Sequence, residues 1–113
     1  MGEENTKGIS MANATKGFRR ALLAAAQEAR REGRITGWEL FRIRTVSALA
    51  PGKLREAQDR VVDNAVACGK MSTGVASVIM GEAQGDAEAF DWMALLDFIR
   101  QLLPVILEII ALF

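Results

Sequence analysis

Six cations between Lys16 and Arg34 could do chemistry with an anionic partner: Lys16, Arg19, Arg20, Arg30, Arg31 and Arg34. On a helix they would meet successive phosphates with salt-dependent affinity. No aromatic residue interleaves with them on their own face, so binding of nucleic acid through this face would lack sequence specificity. The bland reading of the same charges is a solvated helix face that complements an acidic region elsewhere in the chain. Glu82, Asp86, Glu88 and Asp91 are the acidic counterpart, and carboxylates are hard ligands for divalent cations. Their spacing lacks the regular ligand positions and fixed glycine of a calcium loop, and helix capping and solubility account for them. Cys68 is the only cysteine and the chain has no histidine, so neither an internal disulfide nor a histidine-activated thiolate is available. Cys68 reads as a small buried apolar residue.

The absence of histidine also excludes Ser-His-Asp catalysis and histidine-ligated zinc. None of the ten glycines falls into a GxGxxG or GxxxxGK[ST] phosphate loop. The chain reads as non-enzymatic, with no cofactor, metal or small-molecule substrate. At 113 residues, half of them apolar, it is long enough for one small domain with a single core. The first fourteen residues carry no apolar run of a secretory signal. With an unpaired cysteine, that places the expected location in a reducing compartment or in a particle assembled inside a cell, with peripheral membrane attachment as an alternative.

Net charge is zero, but its distribution is not. Residues 1–70 hold thirteen basic and eight acidic side chains, a net of +5, and residues 71–113 hold one basic and six acidic, a net of −5. The two halves could neutralise each other within a chain or pair head to tail between chains, and the basic half could instead meet an anionic partner.

The elements that must position these groups are helical. The expected fold is all-α, a small bundle of four or five helices behind a flexible N-terminal segment, residues 1–14. A helical domain follows over 15–80, then a hinge over 81–90 and a hydrophobic, narrowly amphipathic helix over 91–113. The first helix begins near Thr15 and ends at Gly33, with Phe18, Leu22, Ala25 and Ala29 on one face and the cations opposite. Thr36 to Glu39 has capping-box spacing and starts a second helix, which Pro51-Gly52 ends. Its apolar residues surround much of the wheel, which suggests burial on several sides. The alternation from Phe41 to Thr45 also permits a short strand, although no second strand is present to pair with it. A third helix runs from about Gly52 to Cys68, with Glu56 and Arg60 spaced for an ion pair and Gly69 at its C-cap. A short fourth helix follows a Ser72 cap.

From Asp91 onward the chain reads DWMALLDFIRQLLPVILEIIALF. On a straight helix Asp97, Arg100, Gln101, Pro104 and Glu108 form one narrow polar stripe. Trp92, Leu95, Phe98, Ile99, Leu102, Leu103, Ile106, Ile109 and Phe113 belong to the broad apolar remainder. Pro104 frees the carbonyl of Arg100 and bends the helix. Residues 90–113 would rise about 36 Å, enough to span a bilayer. Asp97 and Arg100 near the middle nevertheless cost roughly as much as the apolar residues gain, so an isolated span is marginal. The preceding helices offer mostly Ala and Val, too little to wrap so broad an apolar arc, so part of it should stay uncovered.

These features lead to an expected structural subunit that self-assembles or docks on a larger protein scaffold through its C-terminal helix. Asp97, Arg100 and Glu108 would orient the contact, and a minor component of a phage-like particle is one example of such a subunit. The alternatives are a membrane-active or membrane-anchored small protein using the same helix, and a non-specific nucleic-acid binder using the basic first helix.

Overall fold

A computed structural model describes residues 2–86 and 90–111, with side-chain surroundings from Lys16 onward. The described chain is all-helical. Its six α-helices are α1 (Gly2–Arg31), α2 (Gly37–Leu49), α3 (Pro51–Ala67), α4 (Thr73–Ile79), α5 (Leu96–Gln101) and α6 (Leu103–Ala111), with a 3-10 turn at Trp92–Leu95 before α5. The helical bundle is as expected, with six helices in place of four or five.

Local chemistry sets most of these boundaries. The Thr36 N–H donates to Glu39 Oε1 at 2.8 Å and the Glu39 N–H to Thr36 Oγ1 at 3.1 Å, the reciprocal capping box read from the sequence. Ser72 caps α4 by accepting from the Val75 N–H at 3.1 Å. Gly33 and Gly69 adopt left-handed φ of +76° and +72°. There the chain turns so that the Arg34 N–H reaches the Ala29 carbonyl and the Lys70 N–H reaches that of Ala65. These contacts satisfy carbonyls that the helix ends leave free. Ala50 serves two helices at once. Its N–H closes the last turn of α2 on Val46, and its carbonyl accepts from Leu54 in the first turn of α3, with Pro51 at the position where a missing N–H costs nothing. The segment Phe41 to Thr45 is helix.

Several boundaries differ from the sequence reading. The first helix starts at Gly2, upstream of Thr15, because the intervening residues include no proline and Glu3 and Glu4 favour a helix N-terminus. Cys68 lies beyond the end of α3 and is exposed: the backbone unwinds into Gly69 before the buried stripe reaches it. Glu56 pairs with Lys53 at 3.3 Å rather than with Arg60, while Arg55 takes Asp59 at 3.6 Å.

The largest difference is the C-terminal segment, which is three short pieces and not one helix. Pro104 has no N–H for the Arg100 carbonyl and its ring crowds that carbonyl, so the helix cannot pass through. Leu102 takes φ −91° and ψ 0°, its N–H shared between the carbonyls of Phe98 (3.1 Å) and Ile99 (3.0 Å), and Pro104 falls in the first turn of a new helix. The break re-aims the apolar residues. The 3-10 turn and α5 pack on α1, whereas α6 packs on α2 and α3. Trp92, Leu95, Ile99, Leu103, Ile106, Ile109 and Ile110 are all buried, with Phe98, Leu102 and Leu107 packed against the core. The expectation that a broad arc stays uncovered is therefore not met: a straight-helix wheel overstates the arc of a segment that bends around its neighbours. The Ala21, Ala25, Ala26 and Ala29 face of α1 makes this possible, since small side chains let another element approach closely.

Candidate docking surface

Among the described residues few large apolar side chains are left outside, and three of them share one helix. On α2 the inward stripe carries Ile43 and Val46 into the core, while Trp38, Phe41 and Leu49 point outward and are 64%, 56% and 73% exposed. Spacings of three and eight residues put these on one face, about 16 Å long at 1.5 Å per residue. The Trp38 and Phe41 rings stack at 5.6 Å between centroids and 24° between planes, so the aromatic pair is ordered before any partner arrives. The apolar positions surrounding the wheel thus mark two opposed stripes, of which only one can face the core. That signal was present in the sequence, but burial on several sides was the wrong resolution of it.

Cations frame this stripe. Arg44 is exposed three residues beyond Phe41, and Arg34 is exposed just before the capping box. Arg30 lies over the start of α2, where a Cβ on Gly37 would sit 3.6 Å from its Nε. Of the predicted anionic-partner residues, Lys16, Arg20, Arg30, Arg31 and Arg34 are exposed and Arg19 is half-buried. Only Arg34 among them has an ion pair among the described residues, a solvent-exposed one with Glu32 at 3.6 Å.

The predicted polar stripe of the C-terminal segment divides. Asp97, Gln101 and Glu108 are exposed, but Arg100 turns inward and binds Glu28 on α1 and Glu32 just beyond its end, as well as Asp97. Its hydrogen bond to Glu32 pushes the guanidinium further above its already high ordinary pKa. The ion pairs that link the two halves therefore run opposite to the sequence expectation: the single base of the acidic half neutralises acids of the basic half. What remains outside is more polarised than the sequence totals suggest.

Two further arginines tie helices together through backbone carbonyls. Arg42 donates to the Ile110 carbonyl at 3.3 Å and Arg55 to that of Met80 at 3.4 Å. Partial burial raises the Asp59 pKa above the ordinary carboxylate value, against the lowering effect of Arg55. Glu88 and Phe113 lie outside the described residues. Among the described residues no group of three or more His, Cys, Asp or Glu is placed to hold a metal ion, and no helix is long and apolar enough to cross a membrane. Comparison with protein-family models, with curated proteins and with solved structures finds no match to this chain.

Proposed function

We propose that the protein is a non-enzymatic structural subunit that self-assembles or docks on a larger protein scaffold, and that the contact is made by the outward stripe of α2. The observation that carries this reading is the stacked, exposed Trp38 and Phe41 pair continued by Leu49. Most of the other large apolar residues among those described are buried or packed against the core, including most of those in the C-terminal segment. Exposed aromatics beside arginines are the residue types that dominate binding energy at protein interfaces. The C-terminal segment contributes through its outer polar face, and its apolar residues hold the fold. Light scattering after size exclusion tests the reading by comparing the native chain with a Phe41→Asp, Leu49→Asp variant. The native chain is expected to exceed the monomer mass and the variant to return to it. Equal masses for the two would refute self-assembly through this stripe.

A second reading uses the same surface. What supports it is an exposed aromatic pair, Trp38 and Phe41, on the helix whose start Arg30 overlies, and such a pair suits stacked bases of single-stranded nucleic acid. Titration with oligothymidylate at low salt separates the two, because only this reading gives binding of the oligonucleotide, and that binding should weaken steeply as salt rises.

A further inference from the structure

The acidic outer face of the C-terminal segment is a ridge. Met93 of the 3-10 turn, Asp97 and Gln101 of α5, and Pro104 and Glu108 of α6 are all exposed, so the outer side carries on across the bend at Leu102. Met93 is 46% exposed and gives the ridge an apolar, deformable contact, and half-buried Phe98 and Leu102 lie beside it. Arg100 turns inward onto Glu28 and Glu32 and also pairs with Asp97 at 3.1 Å, so one base is shared among three carboxylates, and Glu108 has no ion pair among the described residues; the ridge therefore stays net acidic. The α2 stripe has the opposite character: apolar along its centre and flanked by Arg30, Arg34 and Arg44. The inward sides of α2, α5 and α6 all contribute to one core cluster, so stripe and ridge each face away from it. Neither can cover the other within one chain.

Resting on the docking reading above, we propose that the occupant of the α2 stripe is the acidic ridge of a second copy of this chain, so that copies join head to tail. Charge complementarity carries the choice. A two-fold symmetric contact of stripe on stripe would bring Arg44 and Arg34 of one copy against those of the other, whereas stripe on ridge sets Arg34 and Arg44 against Asp97 and Glu108. Zero net charge leaves no overall repulsion between copies. The intrachain ion pairs consume the one base of the ridge, and of the cations of the stripe they engage only Arg34, in its exposed pair with Glu32; Arg30 and Arg44 have no ion pair among the described residues, so the complementarity is retained for a neighbour. A contact between two different faces does not close on itself and propagates into a ring or an open filament.

The test uses two full-length variants that each disable one face: Phe41→Asp with Leu49→Asp for the stripe, and Asp97→Lys with Glu108→Lys for the ridge. Circular dichroism and thermal melting of both confirm that they fold. A ridge carrying Glu108→Lys alone serves if the double variant unfolds. Mass is then measured against protein concentration for each variant and for their equimolar mixture. Each variant alone is expected to associate at least about thirtyfold more weakly than the native chain. The mixture is expected to form a one-to-one dimer that does not grow, since each partner supplies the face the other lacks. Native association should also weaken about tenfold or more as rising salt screens the charges, the Debye length falling from about 30 Å at 0.01 M to about 3 Å at 1 M. If the stripe variant is monomeric while the ridge variant assembles like the native chain, docking through α2 survives and the head-to-tail occupant is overturned. If the native chain is monomeric and Trp38 fluorescence responds to oligothymidylate or to anionic phosphatidylserine vesicles, self-association is overturned in favour of that partner.

Discussion

Gln58 is fully buried on α3 with neither amide atom hydrogen-bonded to the protein, and Ser47 on α2 is nearly as buried and equally unpartnered. A polar group taken from water without a hydrogen bond costs about 1 to 3 kcal/mol, and the cost is removed when an apolar group of similar shape replaces it. Gln58→Met is therefore expected to stabilise the fold by about 1 to 2 kcal/mol. The urea midpoint should rise with an unchanged slope, the mark of a stability change without a change in the surface exposed on unfolding. At this scale the sequence was partly informative. The caps at Thr36 and Ser72 were readable because each bond spans only three residues. The burial of Gln58 was not readable, since what surrounds a side chain depends on helices far away in the chain. Cys68 shows the same limit at shorter range. A wheel assigns it to the buried stripe, but the helix ends one residue too soon.

Helices in this protein meet where small residues allow it, and two glycines show the difference between a packing position and an open one. Gly17 on α1 lies against the Trp92 indole, where a Cβ would come within 2.9 Å of Cδ1. That ring is held edge-on by Phe18 at 5.1 Å and Phe90 at 5.0 Å, so it has little room to yield. Gly52, in the first turn of α3, has nothing within 4 Å of the same built position and no left-handed backbone. Gly52→Ala is expected to stabilise the protein by about 0.4 to 1 kcal/mol through lower unfolded-chain entropy. Gly17→Ala, despite the helix propensity it adds, is expected to destabilise it by about 1 kcal/mol or more. Chemical denaturation of the two variants beside the native chain checks both signs. The bend at Pro104 was legible from a single residue, because proline acts on the carbonyl four positions earlier wherever it occurs. The 3-10 turn before it was not, since Asp91 caps an α-helix and a 3-10 turn by the same kind of hydrogen bond to a nearby N–H.

The whole molecule is held by its C-terminal segment. Trp92 fills a site between Phe18, Phe90 and the backbone at Gly17, Arg100 fastens α5 to α1, and Arg42 fastens the end of α6 to α2. Trp92→Ala is expected to cost about 3 to 5 kcal/mol, a large share of the roughly 5 to 15 kcal/mol that a domain this size has in total. Calorimetry should accordingly show a single transition shifted far downward. A loss below about 1 kcal/mol would instead mean that the segment is loosely held and available to a partner. The sequence by itself determined the helical class, most caps and breaks, the small-residue face of α1 and the opposite charge of the two halves. All of these follow from periodicity, backbone chemistry or composition within a few turns of helix. Only the tertiary structure decided which apolar stripes are inside. Pro104 redirects α6 toward α2 and α3, that path consumes the apolar residues of the C-terminal segment, and the core it completes has no room for the second stripe of α2. Trp38, Phe41 and Leu49 are left outside for that reason, because burial is a competition among all the stripes in a chain for one core.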